Sequence, residues 1–213
     1  MTNNCRIACK DGYRTGQIVK RGAGSLEFGS TSGYACVCNV SVEEGLLALQ
    51  QNIANGTEPC YLGNVVVSNG ATLVTALDAD RGTKPANGPT LMESFSGGGE
   101  IVSCASSGSK RLGFNIPSRT FTFSGMIHRG IQIWPAANGV SNVRLNLTGT
   151  ASDTWRDVSL TEATIGVKKF GMYGEPSSLG KSSTIYWRGS LVNLRSRRKP
   201  RPRASASSAL RWP

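Results

Sequence analysis

The heptapeptide Asn142-Val143-Arg144-Leu145-Asn146-Leu147-Thr148 alternates polar and apolar side chains without a break. Val143, Leu145 and Leu147 fall on one side of an extended backbone and Arg144, Asn146 and Thr148 on the other, the pattern of a β-strand with one face in a core. Working outward, the same kind of segment recurs at GQIVK (16–20), YACVCNV (34–40), LGNVVV (62–67), ATLVTAL (71–77), EIVSCA (100–105), RTFTFSG (119–125), MIHRGIQIW (126–134), ATIGVKK (163–169) and STIYW (183–187). Each is rich in β-branched or aromatic residues, which pack well on a pleated surface. Turn signals separate them at SNG (68–70), ANG (86–88), SGGG (96–99), ANG (137–139) and YGEP (173–176). Short alternating strands with turns at this spacing predict an all-β fold, an antiparallel sandwich or jelly-roll-like barrel.

One segment reads as a helix, at about 42–54. Ser41 with Glu44 three residues on has the form of a capping box, and Asn55-Gly56 supplies an exit. Val42, Leu46, Leu49 and Ile53 then form an apolar stripe that would cover an end of the sheet. The stretch Asp78–Gly99 has the weakest pattern. Rich in Gly and Pro, it reads either as an extended interaction loop or as an ordinary loop with a short strand near Thr90–Phe95.

Charge divides the chain. Residues 195–213 carry seven Lys/Arg and no acid, residues 1–21 carry five basic side chains against Asp11, and residues 22–194 balance twelve of each sign within a net charge of +11. The expected organisation is a basic N-terminal arm (1–15), a single β domain (16–194) and a basic C-terminal tail (195–213). Within the tail, Arg195, Arg197, Arg198, Lys199, Arg201 and Arg203 pack six cations into nine residues, and two prolines favour an extended backbone that presents them outward. Such an arm suits sequence-independent contact with the phosphates of nucleic acid.

Chemistry is otherwise sparse. His128 is the single histidine, set in a strand-like run, so it reads as a packed or edge-facing side chain; no catalytic residue is assigned. The pairs Asp78/Asp80 and Asp153/Asp157 read as solvated surface acids. Neither Gly22, Gly24 and Gly29 nor Gly97–Gly99 matches a phosphate-binding loop. Six cysteines at 5, 9, 36, 38, 60 and 104 leave three readings open: disulfides, reduced thiols, or a four-thiolate zinc site at Cys5, Cys9, Cys36 and Cys38. No metal or other cofactor is assigned. No apolar run is long enough for a membrane span, and MTNNCRIACKDGYRTG lacks the apolar core of a secretory signal.

A body low in charge, with basic ends, fits self-assembly with identical neighbours and contact with nucleic acid through the tail. The expected role is that of a virion structural protein, a virus or bacteriophage coat or tail subunit assembled in the host cytoplasm. The alternative is an extracellular β-sandwich recognition module, an adhesin, pilus-like or carbohydrate-binding subunit.

Overall fold

The computed structural model describes residues 2–3, 16–28, 38–49, 60–75, 90–103, 110–114, 116–128, 130–136, 139–154, 158–160, 162–172, 174–181 and 185–186. Among them the chain is all-β. The strands are β1 Thr2–Asn3, β2 Gln17–Lys20, β3 Ser25–Phe28, β4 Asn39–Val42, β5 Leu46–Leu49, β6 Cys60–Val67, β7 Thr72–Thr75, β8 Thr90–Gly97 and β9 Glu100–Ser103. They continue with β10 Lys110–Phe114, β11 Thr120–Phe123, β12 Met126–Ile127, β13 Ile131–Ile133, β14 Val143–Leu147, β15 Val158–Ser159, β16 Ala163–Val167 and β17 Ile185–Tyr186.

These strands do not form hairpins. Every strand pair is parallel, and the one antiparallel contact among the described residues is an isolated bridge between Ser152 and Ser177. Val40 lies beside Val65 and Val65 beside Phe95, so the chain returns to the same face after roughly 20–30 residues, as a β-solenoid does. Four successive coils each lend one strand to each of two sheets: β2 and β3, β4 and β5, β6 and β7, β8 and β9. From β10 onward a third sheet, β11-β14-β16, joins them. The first half of β8 pairs with β10, while Ser124 N donates to Gly97 O at 2.8 Å, which sets β11 beside its second half.

The antiparallel sandwich or jelly-roll barrel expected from the sequence is therefore incorrect. Period-two alternation is common to any sheet with one buried face, and the turn signals mark corners of a coil instead of hairpins. The helix expected at 42–54 is also absent over its described part. Ser41 and Val42 end β4, Gly45 turns the corner at φ 69°, and Leu46–Leu49 form β5. A Cβ at Gly45 would lie 2.8 Å from the backbone carbon of Ala23 in the coil before, so the corner requires glycine twice over. The apolar phase differs too: Val42 and Leu47 are fully buried, whereas Leu46 and Leu49, assigned to the helical stripe, are half-buried. Residues 50–54 lie outside the described residues.

Of the two readings of Asp78–Gly99, the one with a strand near Thr90–Phe95 matches the structure: Thr90–Gly97 is β8, held between β6 and β10 inside its sheet, and residues 78–89 lie outside the described residues. The run 126–134 is two strands, β12 and β13, in successive coils, separated by a turn at Gly130.

The core runs along the stack as rows of like side chains. Leu26, Leu47, Leu73, Ile101 and Ile127 form one such row, stepping from coil to coil. The last four are fully buried. Aromatic rings stack as well, Phe95 on Phe123 between successive coils and Phe114 on Phe121 within one coil, each with centroids 4.0 Å apart. Because each coil buries its inner face against the next, sequence position becomes height along the stack.

Candidate polyanion-binding face

The third sheet carries the alternation of NVRLNLT to its outer surface. Val143, Leu145 and Leu147 are buried and Arg144 is exposed. Parallel register places Thr120, Arg144 and Thr164 in one outward row and Thr122, Asn146 and Gly166 in the next. Arg144 Nε donates to Asn146 Oδ1 at 3.3 Å, and Asn146 Nδ2 donates to Thr122 Oγ1 at 3.5 Å. The guanidinium is thus steered along the face by an amide that is itself tethered to the coil above.

The sheet has cations at its borders. Arg119 precedes β11, and Lys168 and Lys169 follow β16, all three exposed. Ser178 Oγ accepts from the backbone N–H groups of Lys168 and Lys169, at 3.3 and 3.0 Å, and donates to Gly149 O at 2.6 Å, fixing the bend that carries the two lysines. Lys169 Nζ donates to Pro176 O at 2.9 Å. Among the described residues none of these four cations pairs with a carboxylate. Phe170 follows directly and is 49 % exposed.

The opposite holds at the other end of the body. Lys20, counted with the basic N-terminal block, is buried and donates to the carbonyls of Arg21, Gly22 and Glu44. Arg21 is bound to Glu43, Nε to Oε2 at 2.8 Å. That hydrogen bond, reinforced by the Coulomb attraction, raises the guanidinium above its ordinary pKa. Both charges serve a corner of the coil.

The neutrality of the body is a sum of two unequal halves. Residues 22–109 contain two basic and eight acidic side chains; residues 110–194 contain ten basic and four acidic ones. Among the described residues the asymmetry follows the axis: Glu27, Glu43, Glu44, Glu93 and Glu100 precede β10, whereas Arg119, Arg144, Lys168, Lys169 and Lys181 follow it with Asp153, Glu162 and Glu175. In sequence, the basic excess of residues 110–194 is followed by the basic tail 195–213. Arg195, Arg197, Arg198, Lys199, Arg201 and Arg203 themselves lie outside the described residues.

His128 occupies the outer surface just beyond β12. Its Nδ1 lies 2.8 Å from Asp153 Oδ1. Nε2 is buried and lies 3.4 Å from Glu100 Oε2 without a hydrogen bond. An imidazole pinned at one nitrogen and enclosed at the other is a packing element joining three coils, as its strand-like surroundings suggested. Asp153, read from sequence as a solvated acid, is its partner. Asp78, Asp80 and Asp157 lie outside the described residues, as do Cys5, Cys9 and Cys36 of the four-thiolate reading; Cys38 is buried. Among the described residues no three His, Cys, Asp or Glu side chains are placed to hold a metal ion, and no helix is long and apolar enough to cross a membrane.

No family model, curated protein or solved structure matches this chain.

Proposed function

We propose that the chain is a non-catalytic structural subunit of a virus or bacteriophage particle, a coat or tail protein that assembles with its own copies and holds nucleic acid at its basic end. The observation that carries this reading is the axial segregation of charge. Apart from Lys20 and Arg21 at the first corner, the described coils before β10 carry acids and no base, those after it carry most of the described cations, and the sequence continues to a tail with seven cations and no acid. Electrostatic attraction to phosphate is long-ranged and indifferent to base sequence, so a charged end and an extended arm together suffice for packaging or attachment. The body, 16–194, supplies parallel sheets whose outer rows mix Thr, Ser and Asn with exposed Val19 and Val66, surfaces suited to repeated contact with identical neighbours. The test is the mass of the full chain in solution at moderate salt. Light scattering is expected to give multiples of 22.6 kDa and to show nucleic acid co-purifying with the assembly. A monomer free of nucleic acid refutes the reading.

A further inference from the structure

We propose that the outer face of the third sheet, with the strip leaving it at Lys168–Phe170, binds single-stranded nucleic acid. Arg119, Arg144, Lys168 and Lys169 hold phosphates, and the ring of Phe170 stacks on a base. This rests on the reading that the basic end engages nucleic acid and gives that engagement a site on the folded body, separate from the tail.

Three features converge on that partner. First, β11, β14 and β16 contain no acidic residue, and the four cations around them are exposed with no carboxylate partner among the described residues. Second, the outward rows between the cations consist of Thr120, Thr122, Asn146 and Thr164, which offer the hydroxyl and amide donors that position phosphates. Third, Phe170 exposes 49 % of its surface immediately beside two lysines. A duplex hides the faces of its bases and leaves that ring unused; a single strand offers them, and alternating cations with an aromatic platform is how such strands are held. Sulfated glycans satisfy the cations but have no flat unsaturated ring for Phe170. Two described acids lie beside the patch, Glu162 just before β16 and Glu175, whose backbone N–H donates to Met172 O at 2.9 Å, and removal of either carboxylate should strengthen binding.

The experiment is fluorescence anisotropy of the full chain with a labelled oligothymidylate across a salt series. Each phosphate contact contributes about 0.7 to the log–log salt slope for single strands, so replacing Arg119, Arg144, Lys168 and Lys169 by Gln should lower its magnitude by about 2 to 3. Phe170→Ala should weaken binding about tenfold at fixed salt and leave the slope unchanged, since stacking releases no counterions. Melting curves confirm that each variant is folded; should the fourfold variant unfold, Arg144→Gln with Lys168→Gln is expected to lower the slope by about 1 to 1.5. An unchanged slope in the face variants, with binding lost when the six cations of 195–203 are replaced instead, overturns the site and leaves the broader reading standing. Dependence on the cations without dependence on Phe170, or equal loss of heparin binding in the Phe170 variant, overturns the assignment to single strands. A wild-type chain that fails to bind the oligonucleotide overturns both.

Discussion

Gly125→Ala should unfold the coil-to-coil stack more severely than its small size suggests. Gly99, Gly125 and Gly149 sit above one another at successive corners, each pressed against the backbone of the preceding turn. A Cβ at Gly125 would overlap the carbonyl oxygen of Gly99 and stand 2.5 Å from Phe123 Cζ and 2.9 Å from Gly98 C. Carbon contacts settle at about 3.5–4.0 Å, so two coils would have to part by roughly 1 Å against the packing of the core. Overpacking of this kind costs about 3 kcal/mol, and more where the obstacle is backbone that cannot swing away. In a chain of this size that lowers the melting temperature by about 6–12 °C. Two controls grade the effect. Gly139 has φ 71° with nothing within 4 Å of its added Cβ, so Gly139→Ala should cost only the left-handed conformation, about 1 kcal/mol. At Gly24 the space is open and φ is unexceptional, so Gly24→Ala should be neutral or slightly stabilising. Thermal melts that rank Gly125→Ala with Gly24→Ala would refute the stacked corners.

Leu47→Asp should destabilise by about 4 kcal/mol or more because Leu47 is fully buried, whereas Leu46→Asp on the half-exposed side should cost much less; chemical denaturation distinguishes this order from the helical one, in which Leu46 is the buried residue. Ser118, Asn142 and Glu162 all have φ between 51° and 59° at level positions of three coils, and Asn is the best of them in that region. Glu162→Asn should therefore raise stability by several tenths of a kcal/mol to about 1 kcal/mol, read as a shift in the denaturation midpoint at constant slope. Asp153→Ala removes the partner of His128 Nδ1 and should cost about 1–3 kcal/mol, while Asp153→Asn, which keeps an acceptor, should recover most of it.

Strand positions were largely legible because alternation reports a buried face whatever lies beside the strand. GQIVK, LGNVVV and NVRLNLT fall on β2, β6 and β14 for that reason. Direction was not legible. Parallel stacking in this chain depends on which coil meets which, through contacts such as Val40 with Val65 that are distant in sequence, and it leaves no mark within one strand. Leu46–Leu49 misled because four consecutive apolar residues satisfy a helical stripe as well as a strand covered on both sides; Gly45, placed inside the expected helix, was the contrary signal. Thr90–Gly97 was only half legible, a short strand being one of two readings because β-branched residues are few there; its place inside the sheet comes from Leu91, Met92 and Phe95 packing in the stack. The cationic face was obscured by counting charge over the whole body. Arg119, Arg144, Lys168 and Lys169 come together only once β11, β14 and β16 are known to lie side by side.

In a solenoid, sequence position becomes height along the stack, and distances between spin labels test this most directly. Val19, Ser41, Val66 and Ser96 occupy one outward row in four successive strands. Pairs of nitroxides placed from Val19 should separate by about 4.8 Å for each intervening step, giving about 14 Å to Ser96 and about 24 Å to Asn146 before the label arms are added. A steady increase with coil number is the predicted result. Distances that rise and fall along the series, as when strands alternate direction between two facing sheets, would contradict it.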